Sequence, residues 1–129
     1  MFERLTEAAA QAVRLAKEEA NGSNASLVET DHLLIGLLPA DPALCVRVNM
    51  DIGLIRKHSG SVPPSFQSLN HECKRVLAYS AEEAEQSGHQ LITCRHLALG
   101  ILREKYCSAA KLLRDQGITR EILKEGMIL

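Results

Sequence analysis

Residues 30–38 read TDHLLIGLL, and residues 94–102 read CRHLALGIL. Sliding the chain against itself by 64 positions, with no gap, pairs Leu5 with Leu69, Glu18 with Glu82, Glu19 with Glu83 and Ala20 with Ala84. The register continues through Leu27 and Leu91, His32 and His96, Gly36 and Gly100, Asp51 and Asp115, Gly53 and Gly117, and Arg56 and Arg120. Conservative pairs such as Val28 with Ile92 fill the intervals. An ungapped register of this length marks a duplicated structural unit and restricts the fold before any single residue is interpreted. Whatever one copy folds into, the other must also adopt, and the two must share a core.

Each copy parses into the same helical parts. Leu5, Ala9, Ala12, Val13, Ala16 and Ala20 recur at helical spacing, and their partners Leu69, Cys73, Val76, Leu77, Ser80 and Ala84 keep the stripe. Polar loops follow, NGSNAS in the first copy and QSGHQ in the second. A short, very apolar helix is expected next, with Thr30 as N-cap in the first copy and Thr93 in the second. A third helix is expected over 43–51 and 107–116, ending at Gly53 and Gly117, where glycine adopts the left-handed conformation that stops helices. A short fourth helix closes each copy. The stretch KHSGSVPPSF between them carries the Ser, Gly and paired Pro of a linker. The expected fold is all-α, a pseudo-twofold duplicated four-helix repeat of about eight helices. It forms one domain over 1–129, with repeat 1 at 2–57, the linker at 58–66 and repeat 2 at 67–126. Gly36 and Gly100 lie inside apolar helices, where glycine costs about 1 kcal/mol relative to alanine. Two readings are open for them: a close backbone approach at a helix crossing, or an ancestral residue that the packing tolerates.

Composition excludes several functions. A net charge of −1 removes the usual electrostatic basis for binding nucleic acid or an anionic membrane. Aromatic residues make up 3% of the chain, too few for a base-stacking platform. No apolar run approaches the roughly 20 residues that cross a bilayer. Cys45, Cys73, Cys94 and Cys107 form no CxxC pair, which reads as reduced thiols of a cytoplasmic protein.

The opening MFERLTEAAAQAVRLAKEEA, the two H-L-x-x-G-[LI]-L blocks and the helices ending at Gly53 and Gly117 together resemble the Clp amino-terminal repeat. That repeat forms the N domain of the ClpA, ClpB and ClpC class of AAA+ unfoldases, and the ClpC branch is the nearer likeness. The likeness covers essentially the whole chain and rests on the doubled pattern. It implies a non-catalytic module that receives adaptor proteins and substrates for an ATPase ring. The GxxxxGK[ST] loop that cradles a triphosphate is missing, so this chain by itself is not expected to hydrolyse ATP. It is expected to be either an excised N domain or a free-standing double-repeat protein, and its Met1 start fits a bacterial cytoplasmic version.

The resemblance also implies a site. In ClpC-type N domains the acid of each T-E-H block belongs to a pocket for phosphoarginine, a degradation mark. A carboxylate suits it because two parallel hydrogen bonds can join it to a guanidinium. Here Asp31 follows Thr30 in the first block, whereas Arg95 follows Cys94 in the second. Thr6 matches a threonine of the family's first repeat and is expected to line the same pocket; its register partner is Asn70. The candidate partner-binding residues are therefore Thr6, Thr30, Asp31 and Arg95. A plainer account of Asp31 is that an acid in the first turn is favoured by the helix dipole. Arg95 suits that setting less, so it is read as a solvated charge, as the partner of an acid elsewhere, or as the mark of a lost or re-specified second site.

His32 and His96 occupy equivalent positions, which packing and local hydrogen bonding explain better than a shared metal or acid/base pair. No zinc-type spacing links the cysteines and histidines, and neither metal nor cofactor is expected. Cys45 and Cys73 fall on apolar faces, whereas Cys94 and Cys107 lie near helix starts, where a thiolate is favoured. AKEEA and AEEAE read as solvated helix faces. Three functions follow in order of support. The first is an interaction module for Clp ATPase and protease subunits, adaptors or substrate polypeptides. The second is an accessory subunit that packs on a Clp complex without touching substrate. The third is a small Cys/His enzyme.

Overall fold

The structure, a computed structural model, describes residues 5–22, 27–40 and 68–125. Among these residues it is all-α, with six helices and one very short parallel ladder. Helix α1 spans Glu7–Gly22 and α2 spans Thr30–Ala40; α3 spans His71–Gln86, α4 Cys94–Arg103, α5 Ser108–Asp115 and α6 Arg120–Glu125. The expected helix over 43–51, the fourth helix of the first copy, Cys45 and the linker lie outside the described residues.

Helix α1 buries the stripe read from the sequence: Ala9, Ala12, Val13, Ala16 and Ala20. Thr6 caps it, its hydroxyl accepting the Ala9 N–H at 3.2 Å. Asn70 caps α3 in the same way, accepting the Cys73 N–H at 2.8 Å. Helix α3 buries Cys73, Val76, Leu77, Ser80 and Ala84, again the expected stripe, and Glu83 with them. Helix α5 falls within its expected span and stops at Gly117, whose φ of 76° is the left-handed geometry of a helix stop.

Helix α2 is buried on every side from Thr30 to Leu38, and α4 nearly so. Helices apolar all round occupy the middle of a fold, and these two pack against each other at its centre. Each also crosses the first helix of its own copy. A Cβ on Gly36 would lie 2.9 Å from the Ala16 backbone nitrogen, and one on Gly100 2.5 Å from the Val76 carbonyl oxygen. Both glycines are therefore close-approach residues rather than tolerated relics. The alanines and Ser80 of the facing helices let the backbones come that near.

The two copies are interleaved. β1 (Leu27–Val28) pairs in parallel with β2 (Ser68–Leu69), and Leu5 makes a parallel bridge to Ile92. The Thr6 N–H donates to the Ile92 carbonyl at 2.9 Å, and the Asn70 N–H donates to the Val28 carbonyl, also at 2.9 Å. These two bonds map onto each other under the 64-position register. The lead-in to each copy's first helix thus pairs with the loop before the other copy's central helix. One copy alone would leave these backbone groups and its apolar face without partners.

Candidate functional site

The candidate residues gather where the central helices begin. In the first copy His32 Nδ1 accepts the Glu29 N–H at 3.0 Å; in the second, His96 Nδ1 accepts the Thr93 N–H at 2.9 Å. Thr93 answers by accepting the His96 N–H at 3.3 Å, so threonine and histidine form a reciprocal cap. Local hydrogen bonding is therefore what these histidines do in both copies. Because Nδ1 is the acceptor, the ring proton sits on Nε2. For His96 that nitrogen lies 3.1 Å from His89 Nδ1, and burial, reinforced by His89, lowers its pKa to about 4. His32 is lowered by burial as well, against the pull of Glu29, Asp31 and Glu19, and its buried Nε2 has no hydrogen-bond partner among the described residues.

Thr30 is not the N-cap that the sequence suggests. It is the first residue of α2, and the cap position falls to Glu29, the register partner of Thr93. With His32 closing the turn onto the Glu29 N–H, the Thr30 hydroxyl is turned inward, almost fully buried, onto the Cys107 thiol. Among the described residues that hydroxyl has no hydrogen-bond partner of ordinary geometry.

Asp31 is only 4% exposed, and its carboxylate accepts a hydrogen bond from the Ser108 hydroxyl. Ser108 opens α5, so the charge sits where the first turns of α2 and α5 both favour an anion. Arg95 takes a different course. Its Nη1 donates to the Leu123 carbonyl at 3.3 Å, in the last turn of α6, where a cation suits the dipole. The acid and the arginine, equivalent in register, tie two different helices to the core.

Thr6 does not join the Asp31 end, as the sequence reading expects. It lies beside Ile92 and Thr93 and lines a cleft of about 490 Å³ with Gly88, His89, Gln90 and Leu91. Asn70, its register partner, is the residue bonded at the Val28 side, next to the first block. The interleaved backbone explains the exchange, because each lead-in pairs with the opposite copy.

Two further readings change. Cys94 and Cys107 are buried, and burial raises the Cys107 thiol, as it does that of Cys73. A helix start does not activate a thiol that water cannot reach; Cys107 Sγ instead caps α5 by accepting the Ala110 N–H at 3.4 Å. AEEAE is not solvated throughout. Glu83 is 2% exposed and lies 2.7 Å from Arg120 and 3.6 Å from Arg103. Its position three residues after Ser80 was the available signal. Sequence reasoning also passes over a second concavity, about 450 Å³, around the fully exposed Tyr106. Among the described residues no group of three His, Cys, Asp or Glu side chains is placed to hold a metal ion.

The all-α fold is that of Clp N-terminal domains. The N-terminal domain of the caseinolytic protease associated chaperone ClpD from Arabidopsis thaliana superposes with a TM-score of 0.77 at 25% identity, covering 97% of this chain and 95% of that one. The Hsp104 N-terminal domain from Candida albicans gives the same TM-score at 18% identity, a likeness of fold. Residues 68–127 match the model of the Clp repeat (R) N-terminal domain family. The chain is homologous to the N-terminal regions of ClpC and ClpA proteins: chloroplastic ClpC1 of Arabidopsis thaliana and a chloroplastic ClpA homolog of Brassica napus are each 36% identical over 91% of it. The chain spans about 14–15% of the length of these relatives. No helix among the described residues is long and apolar enough to cross a membrane.

Proposed function

We propose that this chain is a non-catalytic protein-interaction module of Clp-type AAA+ protease and chaperone machinery, acting in the cytoplasm and docking adaptor or substrate polypeptides. The observation that carries the reading is the interleaving. It places a cleft at the junction of the copies, with Thr6 from one copy facing Thr93 and the half-exposed Leu91 of the other. A cleft with hydroxyls on both walls and an exposed leucine suits a short polypeptide stretch. Phosphoarginine is the less favoured ligand. At the first block a guanidinium would have to displace Ser108 from a buried Asp31, and at the second it would meet Arg95.

The test is affinity capture with the tagged 129-residue chain from its host lysate, read by mass spectrometry. Enrichment of a Clp ATPase, a Clp protease subunit or an adaptor is expected, with Asp31→Ala and Arg95→Glu baits mapping the face. Recovery of no Clp component and no enriched client overturns the reading.

A further inference from the structure

The loop between α4 and α5 puts Tyr106 into solvent at 95% exposure, in a chain with two tyrosines and no tryptophan. Its ring borders the concavity of about 450 Å³ noted above, whose apolar lining comes from Leu102 and Ile118. The rim is basic: Lys105, Arg114 and Arg120 line it, and no acid does among the described residues. Two neighbouring acids are engaged elsewhere. Glu104 pairs with Arg75, and Glu83 with Arg120 and Arg103. Lys105 and Arg114 are exposed and make no ion pair among the described residues. The register isolates this rim to one copy, since Lys105 aligns with Asp41, Tyr106 with Pro42 and Arg114 with Met50. At these three positions only the second copy carries two cations and an aromatic ring.

We infer that the Tyr106 groove is a docking site for an acidic polypeptide segment that presents one aromatic or aliphatic side chain between carboxylates. The apolar side chain sits on Leu102 and Ile118 against the Tyr106 ring, and flanking carboxylates reach Lys105 and Arg114. Tyrosine and arginine are the side chains that most often anchor protein interfaces, and charge complementarity selects the partner's sign. A net charge of −1 for the whole chain argues against a polyphosphate partner, which a basic field over a wide surface would serve better. The inference rests on the reading of the chain as an interaction module and names the chemistry of one partner.

The experiment is NMR shift mapping on the isotopically labelled 129-residue chain. Its probes are an acetylated pentapeptide with one phenylalanine between two pairs of glutamates, the same peptide with lysines for glutamates, and a single-stranded oligonucleotide of equal charge. The expected result is a cluster of shifts at Leu102, Tyr106, Arg114 and Ile118 with the acidic peptide alone. The double variant Lys105→Glu/Arg114→Glu should weaken that binding about tenfold, and added salt should weaken it as well. Both positions are exposed, and an unchanged amide spectrum will show that the variant is folded. Shifts outside the groove, equal binding of the lysine peptide, tighter binding of the oligonucleotide, or no effect of the variant overturns the inference. If the peptide misses the groove while the chain still captures a Clp component, only this inference falls. If capture fails while the peptide binds, the groove stands and the Clp setting is what is lost.

Discussion

The backbone of Gly100 passes Val76 so closely that a Cβ there would lie 2.5 Å from the Val76 carbonyl oxygen. Gly36 meets the Ala12 and Ala16 backbone in the equivalent place. Gly36→Ala and Gly100→Ala should each destabilise the domain by about 1–3 kcal/mol in chemical denaturation, despite the helix propensity that alanine brings. Gly22→Ala, where no neighbouring atom lies within 4 Å, should leave stability unchanged or slightly higher. Equal midpoints for all three variants would contradict the crossings.

Arg120 holds the buried Glu83 at 2.7 Å, while Arg103 stands farther off at 3.6 Å. Arg120→Leu should cost about 1–3 kcal/mol, less than a fully buried pair because Arg120 is itself partly exposed. Adding Glu83→Gln should recover part of that loss, since the uncompensated buried charge is then gone. Urea melts of the wild type, both single variants and the double variant give the coupling; strictly additive losses would refute it.

His96 is held neutral, with a folded pKa near 4 against about 6.5 when unfolded. Between those values the unfolded chain binds more protons, so stability is complete above about pH 6.5 and falls as pH drops toward 4. Burial and His89 depress the pKa, and Glu83 opposes them. His96→Asn keeps a side-chain acceptor for the cap but does not titrate. Denaturation midpoints between pH 7 and 4, compared for the two proteins, should show the shallower fall in the variant. Parallel curves would exclude His96 as a source of the pH dependence.

Ser108→Ala should destabilise the domain by about 1–3 kcal/mol by leaving the buried Asp31 carboxylate without its donor. Asp31→Ala should cost a comparable amount. If Asp31 serves only as a helix-start anchor, both variants lose stability and keep partner binding at permissive temperature. If it contacts a partner, Asp31→Ala alone loses capture. Melting temperatures and capture yields on the same preparations separate the two roles.

Alkylation of Cys73, Cys94 and Cys107 in the native protein should be slow at pH 8 and become fast in denaturant, because all three thiols are buried and those of Cys73 and Cys107 are raised by it. Mass-spectrometric mapping reads each site. Rapid native labelling of Cys107 would contradict its burial as the α5 cap.

Much of this architecture is legible before any coordinates, and the boundary of that legibility is physical. Helical stripes such as Ala9–Ala12–Val13–Ala16 depend on the period of one element, which the order of residues states outright. So does the duplication, and with it the demand that Gly36 and Gly100 play one role. The Thr93 cap and the Gly117 stop are local too, each settled within one turn of chain.

Which element each candidate side chain meets is another matter, because that depends on how separate elements cross. The order of residues determined the duplication, the apolar faces of the described helices, and the ends at Thr93 and Gly117. Only the tertiary structure decided that each unit's lead-in pairs with the other, which moves Thr6 to Thr93 and brings Asn70 to the first block. It alone turned Asp31 onto Ser108 and Arg95 onto Leu123, and it alone buried Glu83 against Arg120. Periodicity is a property of one segment, whereas partnership is a property of a crossing, and no single segment carries that information.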